Sequence, residues 1–228
     1  MFQVYIGYDS KESVAYHTLA HSILRRSSIP VSITPVMQSQ LKGLYTRPRG
    51  PTESTEFSLT RFLVPALSQY RGWSMFMDCD MLCRADVAEL AALCDQSVDK
   101  AALVCKHDYV PKTKRKFLDQ VQTRYERKNW SSLMLFNNER CSALTPQYVN
   151  SATGLDLHRF KWADDASIGG LPLEWNWLVG EYDVNPAAKI VHYTLGGPWF
   201  DEYRDSDFAA EWFEERRLMS FVASSVPA

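Results

Sequence analysis

An α/β fold with a mostly parallel central sheet and helices on both faces is predicted by three observations. The chain opens with a strand, a glycine-containing turn and a helix; strand-like and helix-like patterns keep alternating up to about residue 136; and the run at 131–136 is apolar enough to be buried on both faces. At 228 residues the chain can form one large α/β domain, and a single domain over 1–228 is expected.

Phe2-Gln-Val-Tyr-Ile6 is a β-branched and aromatic run stopped by Gly7-Tyr8-Asp9-Ser10. A helix follows, with Val14, Ala15, Leu19, Ile23 and Leu24 on its apolar face. A βα opening of this kind is where α/β folds bind nucleotides. A second strand is expected at 31–36, and residues 38–55 lack periodicity and read as a long functional loop. A helix is predicted over 56–70, with Phe57, Thr60, Arg61, Val64 and Leu67 on one side, and then the strand that begins at Trp73. Asp86 caps the next helix, which carries Val87, Leu90, Ala91 and Leu93. Residues 101–105 read as a strand, 115–127 as a charged surface helix and 131–136 as a strand. Short elements near 146–150 and 171–178, a strand at 189–193 and an amphipathic helix over 206–222 complete the pattern.

Composition excludes several classes of function. The net charge is −2 and basic residues are dispersed, so no nucleic-acid duplex is expected as a partner. No apolar run approaches the roughly 20 residues that span a bilayer, and no basic segment precedes an apolar one at the N-terminus. A soluble, cytoplasmic protein is the expectation. Five cysteines without a CxxC pair argue for reduced thiols rather than a disulfide framework or a structural zinc site.

The most informative stretch is Trp73-Ser-Met-Phe-Met-Asp78-Cys-Asp80-Met-Leu-Cys, an apolar run ending in two aspartates. Carboxylates meeting at the mouth of a buried strand repel each other and lose hydration, and a cation relieves both penalties. Oxygen donors suit Mn²⁺ or Mg²⁺, which are commonly shared with substrate phosphates. The plainer alternative is one aspartate capping the next helix and the other in solvent. A second chemical cluster lies in Lys189-Ile-Val-His192-Tyr-Thr-Leu-Gly196-Gly197-Pro198-Trp199. There an imidazole could complete a metal site, and adjacent glycines could let backbone N–H groups approach phosphate oxygens.

Taken together, these motifs resemble the glycogenin-like glycosyltransferases of family eight, which have the GT-A fold. The resemblance runs from about residue 2 to 200. It joins the Tyr-Ile-Gly-Tyr-Asp9 opening, Glu56-Phe-Ser-Leu-Thr-Arg61-Phe-Leu-Val-Pro65, the Asp78-Cys-Asp80 strand end, Trp130-Ser-Ser-Leu-Met-Leu-Phe-Asn137 and the late His-Tyr-Thr-Leu-Gly-Gly-Pro-Trp. It implies transfer of a sugar from a nucleotide-diphosphate donor, a UDP-sugar first among them, to a carbohydrate or other hydroxyl acceptor. Retention of anomeric configuration is implied, with inversion left open. Asp78, Asp80 and His192 would hold Mn²⁺ or Mg²⁺, Tyr8 and Asp9 would lie near the base or ribose, and Arg61, Gly196 and Gly197 near the phosphates or donor sugar. The Asp164–Asp165 pair is similar to the family's Asp-Gln element at the reacting sugar and supplies the candidate catalytic carboxylates.

The chain departs from the family in two places: Gly197 stands where the family has Lys before Pro-Trp, and Trp130 and Ser132 replace its usual Asn and Gly. Alternatives are a nucleotidyltransferase, which lacks support from a Gly-rich basic loop after the first strand, and a non-catalytic nucleotide-sugar-binding protein. His17 and His21 have the spacing of a zinc-protease helix but no accompanying glutamate. His107 follows a strand and could line the cleft, with a turn an equally good reading, and Asp156 and His158 could contact an acceptor, with an ordinary loop role preferred.

Overall fold

The computed structural model describes residues 1–50, 53–113, 115, 116, 118, 120, 121 and 125–220. Its main sheet has six strands: β1 (Phe2–Gly7), β2 (Val31–Val36), β3 (Trp73–Met77), β5 (Ala102–Cys105), β8 (Leu133–Asn137) and β9 (Ile168–Leu171), in the order β2-β1-β3-β8-β5-β9. The β1–β2, β1–β3 and β5–β9 pairings are parallel, whereas β8 runs antiparallel to both β3 and β5. Apolar residues fill the central strands because both faces are covered, and Met75, Phe76, Met77 and Leu133 to Phe136 are fully buried.

A second, three-stranded sheet joins β4 (Met81–Cys83), β10 (Trp177–Leu178) and β11 (Ile190–His192), with β11 central. The chain passes from the main sheet to this one across Asp78-Cys-Asp80. Asp78 N donates to Ser132 O at 2.8 Å and Tyr193 N donates to Asp80 O at 2.8 Å, so each aspartate is pinned to a different sheet.

Helix α1 (Ser13–Arg26) packs Ala15, Tyr16, Leu19 and Ile23 inward, as its periodicity requires. Leu24 departs from the expected apolar face and is 59% exposed. The C-terminal helix α6 (Ala209–Met219) crosses α1 and buries Trp212 and Glu215. Glu215 is held there by His21 at 2.6 Å, Arg25 at 3.1 Å and Arg26 at 2.7 Å. His21 thus closes a helix–helix contact, while His17 is exposed.

Two predicted helices differ in the structure. Residues 56–59 form turns, 60–63 a single 3-10 turn, and only α2 (Val64–Leu67) is α-helical before left-handed Gln69 and Tyr70 end it. Pro65 sits in the first turn of α2, where its missing N–H costs nothing, and this favours a helix start rather than a mid-helix position. The predicted helix at 115–127 is replaced, where described, by an antiparallel pair of β6 (Arg115–Lys116) with β7 (Gln120–Val121) and a turn at 126–129. The rest of it lies outside the described residues. Helix α3 (Ala88–Asp95) starts as expected, with Asp86 Oδ1 accepting from Ala88 N at 2.9 Å. Helices α4 (Pro146–Ser151) and α5 (Gly154–His158) flank the site, and Arg47 ties the long loop to α4 through the carbonyls of Val149 and Ala152.

All five cysteines are buried free thiols. Burial pushes Cys83, Cys94 and Cys141 up to about 12, leaving protonated, unreactive groups.

Candidate active site

Strand alternation places the site. Beyond β3, Cys79 turns into the core at 1% exposure, and the flanking Asp78 and Asp80 side chains line a cavity of about 530 Å³. His192, at the end of β11, lies opposite Met81 across the antiparallel β4–β11 pair, and this register brings it beside Asp80. Among the described residues, Asp78, Asp80 and His192 each offer a ligand atom, all within 4.8 Å of one another.

A hydrogen-bonded shell sets the orientation of these groups. Arg61 Nη1 lies 2.7 Å from Asp78 Oδ1 and donates to Ser131 O at 2.8 Å. Asn176 Nδ2 donates to Ser132 Oγ at 2.8 Å, which turns Asn176 Oδ1 toward His192 Nδ1 at 3.0 Å. Nδ1 therefore carries the proton and donates, and the lone pair of Nε2 faces Asp80 Oδ1 at 3.3 Å. Two acceptors held that close are reconciled by a shared cation, a proton or a metal ion. A histidine whose outer nitrogen is tied by an amide and whose inner nitrogen faces a carboxylate is the arrangement metal sites use. The donor set fits a divalent ion.

His158 and Ser131 form the facing wall, with His158 Nδ1 and Ser131 Oγ 2.8 Å apart and the imidazole edge-on to Phe62. Desolvation, followed by the charge of Arg61, pushes His158 down to about 3, so it is neutral at pH 7. Tyr125 is raised to about 12, first by desolvation, with Asp78 raising and Arg61 opposing. The long loop contributes Arg47, Glu53 and Thr55 to the cavity.

Of the residues picked out in the sequence, Asp78, Asp80, His192 and Arg61 come together in this cavity, and Tyr8, Asp9, Asp164, Asp165, Gly196 and Gly197 are not among the residues lining it. Asp9 accepts from Lys11 N at 2.9 Å and Glu56 N at 3.0 Å, so its carboxylate is spent joining the first loop to the 56–59 turn. Tyr8 packs on Tyr16. Asp165 pairs with Arg127 at 2.7 Å on the surface, and Asp164 lines a separate depression with Arg140 and Lys161. Gly196 has φ +141°, and a Cβ on Gly197 would fall 2.1 Å from the Trp199 ring, so the indole fills the space where a side chain would stand. Sequence reasoning passed over Asn176, Ser131 and the left-handed backbone at Arg127 and Asn129, and it set aside His158, which lines the cavity. A polar residue inside the Leu-Glu-Trp-Asn-Trp-Leu run was the available signal for Asn176.

No protein-family model matches the chain. A curated plant protein does. Protein CDI of Arabidopsis thaliana is 51% identical over 224 residues, an alignment covering 94% of this chain and 85% of the relative. The chain belongs to the Protein CDI family. Among solved structures, this CDI-family chain is similar to the bifunctional glycosyltransferase WbbM, with a TM-score of 0.66, 16% identity and 94% of this chain covered. The chain spans about half of that protein, 49% of its length. It is also similar to the galactosyltransferase LgtC, solved in complex with donor and acceptor sugar analogues, with a TM-score of 0.61, 13% identity and 97% and 98% of the two chains covered. The glycosyltransferase GlyE of Streptococcus pneumoniae gives a TM-score of 0.61 at 12% identity, covering 94% of this chain and 60% of the other. At these identities the likeness establishes the fold, and this CDI-family chain has the GT-A fold. Among its described residues no helix is long and apolar enough to cross a membrane.

Proposed function

We propose that this CDI-family chain is a metal-dependent glycosyltransferase, related to family eight, that moves a sugar from a nucleotide-diphosphate donor to a hydroxyl acceptor with retention. The observation that carries this reading is the convergence of Asp78, Asp80 and His192 at one cavity of a GT-A fold. A UDP-sugar is the first donor to test, and Mn²⁺ or Mg²⁺ the metal.

In the reaction the bond from the anomeric carbon to the diphosphate oxygen breaks, a bond to the acceptor oxygen forms, and the acceptor proton leaves with the departing diphosphate. When bound, a divalent ion on Asp78, Asp80 and His192 supplies Lewis-acid stabilisation of the leaving diphosphate. The protein's own groups do the positioning. Arg61 fixes the Asp78 carboxylate through a charge-assisted contact, and Asn176 fixes the ring and tautomer of His192. Neutral His158 with Ser131 presents a polar face suited to sugar hydroxyls without adding charge near the anomeric centre. Thr153 and Leu155, at the start of α5, line the same opening, where the acceptor would enter. Asp164 and Asp165 lie away from this wall, and no step here runs through them.

The test is release of nucleoside diphosphate from a panel of UDP-, GDP- and ADP-sugars, with Mn²⁺, with EDTA, and in Asp80→Ala. Metal-dependent release from one donor, lost in the variant, is the expected result. Donor release that persists in EDTA and in Asp80→Ala would refute the metal-dependent mechanism.

A further inference from the structure

We infer that His158 is a substrate-contacting residue that hydrogen-bonds, through Nε2, a hydroxyl of the sugar carried by the nucleotide donor. This rests on the glycosyltransferase reading above and adds to it the residue that reads the transferred sugar.

His158 is the last residue of α5 and lines the cavity, and the chain fixes its place on both sides. Thr153 caps the start of α5, its Oγ1 accepting from Asp156 N at 3.0 Å, and Arg159 N donates to Leu155 O at 2.8 Å where the helix stops. Phe160 then turns left-handed at φ +60°, a conformation that costs a non-glycine residue energy and persists where packing holds it. The hold is aromatic. Phe160 is fully buried, its ring centroid 6.2 Å from that of Trp130 and 5.4 Å from that of Trp162. Arg127 secures the same turn by donating to Arg159 O at 2.8 Å.

The imidazole is held in turn. Nδ1 and Ser131 Oγ lie 2.8 Å apart, the Phe62 ring meets it edge-on with centroids 5.3 Å apart, and the Tyr125 ring lies tilted at 5.8 Å. Flipping the ring would break the Ser131 bond, so Nε2, which bonds to none of the described residues, is the nitrogen offered to a ligand. Burial, followed by the charge of Arg61, keeps the ring neutral. A neutral imidazole has one donor and one acceptor nitrogen, and a hydroxyl, which can do both, matches Nε2 in either tautomer. A phosphate oxygen matches only the N–H form and is better served by a cation. A single placed polar atom between aromatic rings is how small-molecule pockets fix orientation.

Ser131 connects this wall to the proposed metal site. Its Oγ holds His158, its carbonyl accepts from Arg61 Nη1 at 2.8 Å, and the same guanidinium nitrogen lies 2.7 Å from Asp78 Oδ1. Arg61 and Phe62 are neighbours in one 3-10 turn, so the partner of Asp78 and the ring that packs on His158 leave the same piece of backbone. In a nucleotide donor the sugar is bonded directly to the diphosphate. A diphosphate drawn to the Asp78–Asp80–His192 end therefore brings its sugar to the wall that His158 and Ser131 form.

The experiment is calorimetric titration, in the presence of MnCl₂, of UDP-glucose, UDP-galactose, GDP-mannose and ADP-glucose, and of UDP, GDP and ADP, into the wild type, His158→Phe and His158→Gln. The tightest-binding donor is then repeated as its monodeoxy analogues. Phenylalanine keeps the packing on Phe62 and Tyr125 and removes both nitrogens, and glutamine returns a hydrogen-bonding amide. Loss of one hydrogen bond is expected to weaken the preferred donor roughly three- to tenfold in His158→Phe, with part of the loss recovered in His158→Gln and the parent diphosphate within about twofold of the wild type. One deoxy analogue should show a similar loss with the wild type and no further loss with His158→Phe, because both changes remove the same bond. A purely structural role would weaken every analogue alike. Unchanged donor affinity in His158→Phe, equal losses of donor and diphosphate, or additive losses at every deoxy position would each overturn the role of His158 while leaving the transferase reading intact. A wild type that binds none of these donors or diphosphates would overturn both.

Discussion

Replacing Arg61 with methionine removes the counter-charge of Asp78 while keeping an unbranched side chain between Phe57 and Phe76, over whose rings the guanidinium now lies at 5.3 and 5.1 Å. Arg61 is 5% exposed and Asp78 9%, so water does little to screen the carboxylate left behind, and Asp80 is close by. Breaking a buried ion pair by deleting one partner costs about 3–5 kcal/mol. For a domain of this size each kcal/mol lowers the melting temperature by roughly 2–4 °C, giving a drop of about 6–20 °C. The loss should be partly reversed in two ways. Removing the stranded charge with Arg61→Met/Asp78→Asn should recover stability relative to the single variant. A divalent ion at about a hundred times its dissociation constant should return about 2.7 kcal/mol, since it binds the folded carboxylates. Differential scanning calorimetry of the wild type, both single variants and the double variant, with and without MnCl₂, measures each quantity. A single variant melting within about 3 °C of the wild type, or a double variant no more stable than Arg61→Met, would refute the reasoning.

Gly197→Ala should collide with the Trp199 ring and cost about 1–3 kcal/mol, read from the denaturation midpoint and from a changed near-ultraviolet dichroism of the Tyr193–Trp199–Trp212 stack; a wild-type spectrum and midpoint would contradict this. Asn176→Ala should leave the fold in place but weaken Mn²⁺ binding about ten- to a hundredfold, by freeing His192 to rotate. His107 gives a pH dependence in the metal-free protein. Burial, followed by the charge of His192, pushes it down to about 3, against an unfolded value of about 6.5. Between those values the unfolded chain binds the extra proton, so the contribution is intact above about pH 6.5 and is lost progressively as pH falls toward 3, amounting to about 2 kcal/mol by pH 5. Denaturant titrations of the wild type and His107→Gln from pH 7.5 to 5 should show a shallower decline in the variant; parallel declines would rule out His107 as the source.

Much of this architecture could be read from local chemistry. The β1, β2, β3 and β5 runs, the turn at Gly7 and the cap at Asp86 declare themselves through β-branched residues, glycine and short polar side chains, and the structure agrees with them. The direction of β8 could not be read, because a strand buried on both faces has the same composition whether it runs parallel or antiparallel. The helix over 56–70 failed because apolar spacing alone outweighed the start signal of Pro65. Over 115–127 the charged composition suits a helix, but the paired β6 and β7 residues are set by tertiary context. In the site, Asp78, Asp80 and His192 are individually visible in the sequence, since carboxylates and an imidazole at strand ends are unusual. Their meeting depends on the β4–β11 register, and the frame around them depends on long-range bonds from Asn176 and Asn129. The left-handed backbone at Arg127 and Asn129 is invisible for a simpler reason, as no glycine marks it.

The most direct test of the central claim, that Asp78, Asp80 and His192 hold a divalent ion shared with a nucleoside diphosphate, is electron paramagnetic resonance of free Mn²⁺ titrated with the protein, alone and with saturating nucleoside diphosphate. The account expects the free-ion signal to fall with protein, to fall at lower concentrations when the diphosphate is present, and to stay unchanged with Asp80→Asn. A signal unaffected by the wild-type protein in both conditions, or bound equally well by Asp80→Asn, would contradict it.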